Sequence, residues 1–243
     1  MRKSIEKHSL SQSIFLHLLP GVLVGLCFFL LAPIVIEYGF PNVMALIIAG
    51  IVVLLPFELG FLLYQTKITG KKFLGGIVKY QKTLKGWQYI LWIAVIFVLT
   101  GLAFKVFGFA SEFLMQYFRW IPSTYMLDMG MSGGFSKTNL IITYSLFFLF
   151  IVLILPTVEE LYFRGYLLPR MPSNLKGWVV PLHSALFALY HTWTPWLFIT
   201  RTIGVLPLIY LVRQKENIYL GIISHCIINS IDLIIVLIFI TNL

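Results

Sequence analysis

Seven ionisable side chains in the last third of the chain stand in otherwise apolar stretches: Glu159, Glu160, Arg164, His191, Arg201, His225 and Asp232. Charge inside a lipid-spanning segment is costly and marks a functional candidate by default. Glu159 and Glu160 are neighbours, so on a helix they point about 100° apart and cannot do the same job. Glu160 and Arg164 are four apart with the acid first, the favourable order for a helical ion pair. Glu159 is then left without a partner nearby in sequence. A lone carboxylate in such surroundings suits a base; the plainer alternative is a charged helix end at the membrane surface. His191 closes the run Phe187-Ala-Leu-Tyr-His191, with Phe187 on the same helical face. His225 and Asn229 are four apart and Asp232 is seven from His225, which makes a polar stripe on one helix. Alone, each of these reads equally well as a packing or interhelical hydrogen-bonding residue. Together they hold the parts for activating water: a carboxylate and a histidine as base, and a second histidine with an amide as oxyanion donors. No serine or cysteine sits in a triad context, and no helix carries two histidines flanking a glutamate.

The elements that must position these groups are membrane helices. Of the 243 residues, 59% are hydrophobic and 11% charged, and the mean hydropathy is +0.93. The apolar residues fall in unbroken blocks that approach or exceed the roughly 20 residues needed to cross a hydrocarbon core. Backbone in lipid must satisfy its own hydrogen bonds, so the blocks are read as helices, and the alternating segments of a β-barrel are absent. The expected fold is all-α, a polytopic transmembrane bundle of about seven spanning helices, or eight with an interfacial segment. The expected spans are residues 14–36, 43–64, 88–108, 140 to about 168, a shorter fifth at 179–191 with His191 partway across, 196–212 and 219–240. The fourth must run past Glu159 to about Leu168 if Glu159 is to meet His191, which puts Glu159 about 14 Å from the helix end. Pro169 and Pro172 then stop it, and Pro156, one turn before Glu159, kinks it or frees a carbonyl. Phe113, Met115, Phe118 and Trp120 suit an amphipathic interfacial stretch. His17, Glu58 and Lys105 are assigned to helix ends or isolated sites, and His183 to packing. The whole chain, residues 1–243, reads as one integral membrane domain.

Lysine and arginine give the orientation. They gather before the first helix (Arg2, Lys3, Lys7), between the second and third (Lys67 to Lys85), between the fourth and fifth (Arg170, Lys176) and between the sixth and seventh (Arg213, Lys215). Seven crossings put all four on one side, the cytoplasmic one, with the N-terminus. The first block is too long for a signal-peptide core and reads as a retained helix. The net charge of +9 is accounted for by these loops, so nucleic acid is not an expected partner; membrane lipid and a membrane-bound peptide or protein are. Cys27 and Cys226 lie inside apolar blocks and read as small apolar residues.

The three motifs in order, Glu159-Glu160-Leu-Tyr-Phe-Arg164, Phe187-Ala-Leu-Tyr-His191 and His225-Cys-Ile-Ile-Asn229, resemble those of the CPBP family, the CAAX proteases and bacteriocin-processing enzymes also called the Abi family, which includes the type two CAAX prenyl endopeptidase. The resemblance covers residues 155–232, where Gly204, Tyr210, Arg213 and Gly221 also match. It implies an intramembrane endopeptidase in which Glu159 and His191 activate the attacking water and His225 and Asn229 stabilise the oxyanion. Glu160, Arg164, Phe187 and Asp232 would support them. A metal-free glutamate mechanism is the expectation, and no cofactor is expected; Zn²⁺ on Glu159, His191 and His225 is the alternative. The other functions in view are bacteriocin self-immunity on the same fold and a transporter lined by the buried charges. The resemblance also implies a multi-pass protein of the bacterial plasma membrane.

Overall fold

Long apolar blocks fold here as the helices their composition demands. The computed structural model describes residues 5–131 and 133–242, and among these the regular structure is helical, with only two isolated β-bridges. Six helices are long and apolar enough to cross a membrane: α1 (Leu10–Glu37), α2 (Val43–Thr69), α3 (Gly86–Phe118), α4 (Lys137–Arg170), α6 (Pro195–Lys215) and α7 (Ile218–Thr241). Between α4 and α6 lies the shorter α5 (Val179–Tyr190). The protein is an integral, multi-pass helical bundle.

The expected spans are all present, with one correction. α3 runs on continuously through Met115 and tightens to a 3₁₀ turn ending at Phe118. Phe113 and Met115 therefore belong to the third helix, because no proline or glycine after Gly108 stops it. The fifth helix is short, as expected: α5 has 12 residues, about 18 Å of helix. The chain crosses the remaining depth as the irregular stretch His191–Thr194 before re-entering helix at Pro195. Non-helical backbone at membrane depth is tolerated where protein or a cavity, not lipid, surrounds it, and Thr192 meets that condition by donating to the Gly21 carbonyl of α1 at 2.8 Å.

α1 and α5 pack closely because α1 presents Gly21 and Gly25 one turn apart. A Cβ at Gly21 would overlap the Tyr190 carbonyl, and one at Gly25 would overlap Thr192 Oγ1. This is the small-xxx-small contact that lets membrane helices approach. About one turn before Gly21, His17 Nε2 meets His183 Nδ1 at 2.8 Å, and both residues are fully buried. Neither is a snorkelling residue at a helix end; the pair is an interhelical polar contact. α3 and α6 are held by Thr100 donating to the Gly204 carbonyl (2.8 Å) and Thr200 to the Phe107 carbonyl (2.8 Å). At the lysine-rich end, the loop after α2 clamps the α6–α7 junction: Ile218 N–H donates to the Tyr80 carbonyl, and Asn217 Nδ2 to the Lys82 carbonyl.

Candidate active site

α4 sets the site, and its winding departs from a plain α-helix on both sides of Glu159. Residues Phe148–Ile154 and Glu160–Leu167 are π-helical, separated by the α-helical turn Leu155–Glu159. Leu155 N–H bonds the Phe150 carbonyl, five residues back. The next donor in that register would serve the Ile151 carbonyl, but it belongs to Pro156, which has none. Asn229 of α7 fills the gap, donating from Nδ2 to the Ile151 carbonyl at 2.9 Å. The proline thus frees a carbonyl, as its position predicted, and that carbonyl fixes Asn229.

One turn on, the two glutamates take different surroundings. Glu160 is fully buried; its Oε1 lies 3.2 Å from Arg164 Nη1 and 3.0 Å from His225 Nδ1. Arg164 is itself buried and stacks on the Phe187 ring at 3.8 Å from the centroid. Gly221 makes room for this carboxylate, since a Cβ there would come within 2.6 Å of Glu160 Oε2. Glu159 turns instead towards an internal cavity. Its Oε1 accepts from the Tyr190 hydroxyl at 3.0 Å, and its Oε2 faces His225 Nε2 at 3.8 Å. The carboxylate without a sequence-local partner has two partners from other helices, α5 and α7. His225 therefore bridges the two glutamates, one ring nitrogen to each.

His191 is the first residue past α5. Its Nδ1 sits 2.8 Å from the Phe187 carbonyl, a contact in which the ring nitrogen donates, leaving Nε2 as an acceptor. Phe187 holds the ring edge-on at 4.9 Å between centroids. Glu159, His191, His225, Asn229, Arg164 and Asp232 all line one cavity of about 550 Å³, together with Arg201 of α6 and mostly apolar side chains of α1, α2, α3 and α4. The structure so gathers every residue named from the motifs, with Asp232 at the cavity's more exposed margin.

Glu58 and Tyr190 are the residues that sequence reasoning passed over. Glu58 is fully buried in a π-helical stretch of α2 that contains Pro56, with both carboxyl oxygens lacking a hydrogen-bond partner. It lies within electrostatic reach of Tyr190, Glu159 and Arg164, behind the cavity wall. It is neither at a helix end nor isolated, which corrects that expectation. The signal available was its position well inside a span, where an acid is costly. Tyr190 lies inside the second motif, but nothing in its spacing told of the bond to Glu159.

Residues 141–231 match the family model described as type II CAAX prenyl endopeptidase Rce1-like. Over this segment the chain is similar to the Rce1-like family. The Rce1-like segment begins in α4 and ends in α7, so it contains all three motifs and excludes α1, α2 and α3. The matched family is one of CAAX-type endopeptidases, and the six apolar helices carry the matched segment in a multi-pass membrane protein. No curated protein and no solved structure matches the chain.

Proposed function

We propose that the protein is an intramembrane endopeptidase that cuts a membrane-held peptide or a lipidated, CAAX-like protein, using a water activated by Glu159 and His191. The observation that carries this reading is the grouping of Glu159, His191, His225 and Asn229 around one cavity deep in the bundle, within a segment similar to the Rce1-like family. The attacking water gives a proton to the Glu159 carboxylate, with the His191 Nε2 lone pair orienting it. The resulting hydroxide adds to the scissile carbonyl. The second Nδ2 proton of Asn229 and Nε2 of His225, whose ring must carry a proton on both nitrogens for this step, are the donors for the oxyanion, since Nδ1 of His225 is held by Glu160 and the first Asn229 proton by Ile151. Collapse breaks the C–N bond, and the proton on Glu159 passes to the leaving amine. Arg164 and Phe187 hold Glu160, and through it His225.

The donor set supports a mechanism without metal. Among the described residues, no three of His, Cys, Asp and Glu are grouped as a metal ion requires. The test uses the full chain purified in lipid nanodiscs with a farnesyl-cysteine peptide bearing three apolar residues after the cysteine. Glu159→Gln and His191→Ala are expected to lower kcat by about 10²–10⁴-fold, and treatment with a strong chelator to leave it unchanged. Activity that disappears with a bound metal and returns with one equivalent of Zn²⁺ overturns the metal-free step. Specific peptide binding with no cleavage by the unaltered protein overturns the endopeptidase reading.

A further inference from the structure

The charges around the cavity do not all find partners within the protein. Arg164 has Glu160 at 3.2 Å, and Glu159 has Tyr190 and His225. Arg201 has no carboxylate within ion-pair distance among the described residues. Its Nη2 donates to the Thr194 hydroxyl at 3.0 Å, while Nη1 is buried and bonded to nothing. Thr194 is itself buried, in the irregular stretch that follows His191. The guanidinium is thus held by one hydroxyl and lines the cavity that holds Glu159, whose apolar lining includes Phe97, Phe104, Leu197 and Val205. An arginine is always charged and is a planar fork matched to a carboxylate. Glu159 acts on Arg201 only from beyond ion-pair distance, and a guanidinium so incompletely held in such a place is expensive unless a ligand completes it.

Two further features narrow the ligand. A cavity of about 550 Å³ is of the size that encloses a small ligand or a short peptide end, too small for a chain that enters and leaves. Arg201 also lies 14 residues from Lys215 at the end of α6, about 21 Å, whereas Glu159 lies 11 residues from Arg170 at the end of α4, about 16 Å. The cation is therefore set beyond the water-activating group for a peptide entering from the lysine-rich side. We propose that Arg201 is a specificity-determining residue that binds the α-carboxylate at the substrate's end and so discriminates against a chain whose end is blocked. This rests on the endopeptidase reading for its meaning but not for its test.

Binding is measured with full-length Glu159→Gln protein in nanodiscs, using the farnesyl-cysteine peptide as its free acid, as its C-terminal amide, and as the amide with an internal glutamate. The free acid is expected to bind at least about tenfold tighter than the amide. Arg201→Gln is expected to bring the free acid to the affinity of the amide while leaving the amide's own affinity unchanged, which also shows that the variant is folded. Arg201→Lys is expected to retain part of the preference. Equal affinity for acid and amide, or a preference that survives Arg201→Gln, overturns the proposal. So does recovery by the internal glutamate, or loss of the preference with phosphatidylglycerol, because the anion would then be a side chain or a lipid phosphate. A preference that depends on Arg201 in a protein that cleaves nothing leaves the carboxylate site standing and removes the protease.

Discussion

Glu159 and Glu160 share a backbone turn and differ in what they touch. Glu160 neutralises a buried arginine and holds His225, so its loss leaves Arg164 buried and uncompensated. Glu160→Gln is therefore expected to lower stability by about 3–5 kcal/mol, visible as lost detergent-solubilised yield and early thermal aggregation. Glu159→Gln keeps a side chain that can still accept from Tyr190, and is expected to stay folded and monodisperse while losing turnover. Equal loss of fold in both variants would contradict the division. The Glu160–Arg164 pair was legible from its spacing of four. The role of Glu58 was not, because a single acid in an apolar block carries no periodicity, and its relation to Glu159 arises only when α2 packs against α4. A substitution Glu58→Leu removes a buried polar group that lacks a hydrogen bond; it is expected to hold or raise thermal stability while lowering kcat, if the carboxyl acts through Tyr190. A fall in stability with no change in kcat would assign Glu58 to the fold alone.

At the scale of elements, the sequence showed where the spans lie because lipid demands long apolar blocks, and it showed their order. It did not show α4's alternating π and α winding or the helix gap after α5, since both depend on donors supplied from elsewhere: Asn229 for the carbonyl beyond Pro156, and Thr192 for Gly21. Gly21 could have been read from Gly21-Val-Leu-Val-Gly25 as a close-contact face. A branched side chain there must push α1 from the Tyr190 backbone, so Gly21→Val is expected to destabilise by about 1–3 kcal/mol, measured by thermal unfolding in detergent, and to lower kcat by shifting Tyr190. The segment before α1 also docks on α4. His8 N–H donates to the Arg170 carbonyl, Lys7 Nζ to the Pro169 carbonyl, and the His8 ring lies over Tyr166. Burial, aided by Arg170 and opposed by Glu6, pushes the His8 imidazole down to about 4. The docked state therefore disfavours the charged ring. Its contribution is complete above the ordinary value of 6.5 and is lost as pH falls from there through about 4. Hydrogen exchange of residues 6–12 is expected to quicken over that window in the wild-type protein and to stay level in His8→Gln.

For the whole molecule, the positive loops set the proposed orientation. Lys72, Lys82 and Lys176 fall at one end of the bundle, the end where Tyr80 and Lys82 clamp Asn217 and Ile218. Single cysteines placed at Lys82 and Lys176 in a chain without Cys27 and Cys226 are expected to resist an impermeant maleimide added to intact cells, while one at Lys137 reacts. Labelling of the lysine-loop positions would invert the topology and would place the mouth of the site on the other face. The overall bundle was readable from composition, and the site's inward depth from the proline stops: an end near Leu168 puts Glu159 about 14 Å inside, against about 16 Å for the observed end at Arg170.

That depth changes how the reaction must be counted. A carboxylate about 16 Å inside the bundle, lining a cavity among the membrane helices, would meet the proposed substrates, which are held by the bilayer, from within it. The encounter is then governed by mole fraction per unit of lipid area, not by molarity in the surrounding buffer. Adding inert phospholipid at constant enzyme and substrate dilutes both in two dimensions and slows the turnover, although no bulk concentration has changed.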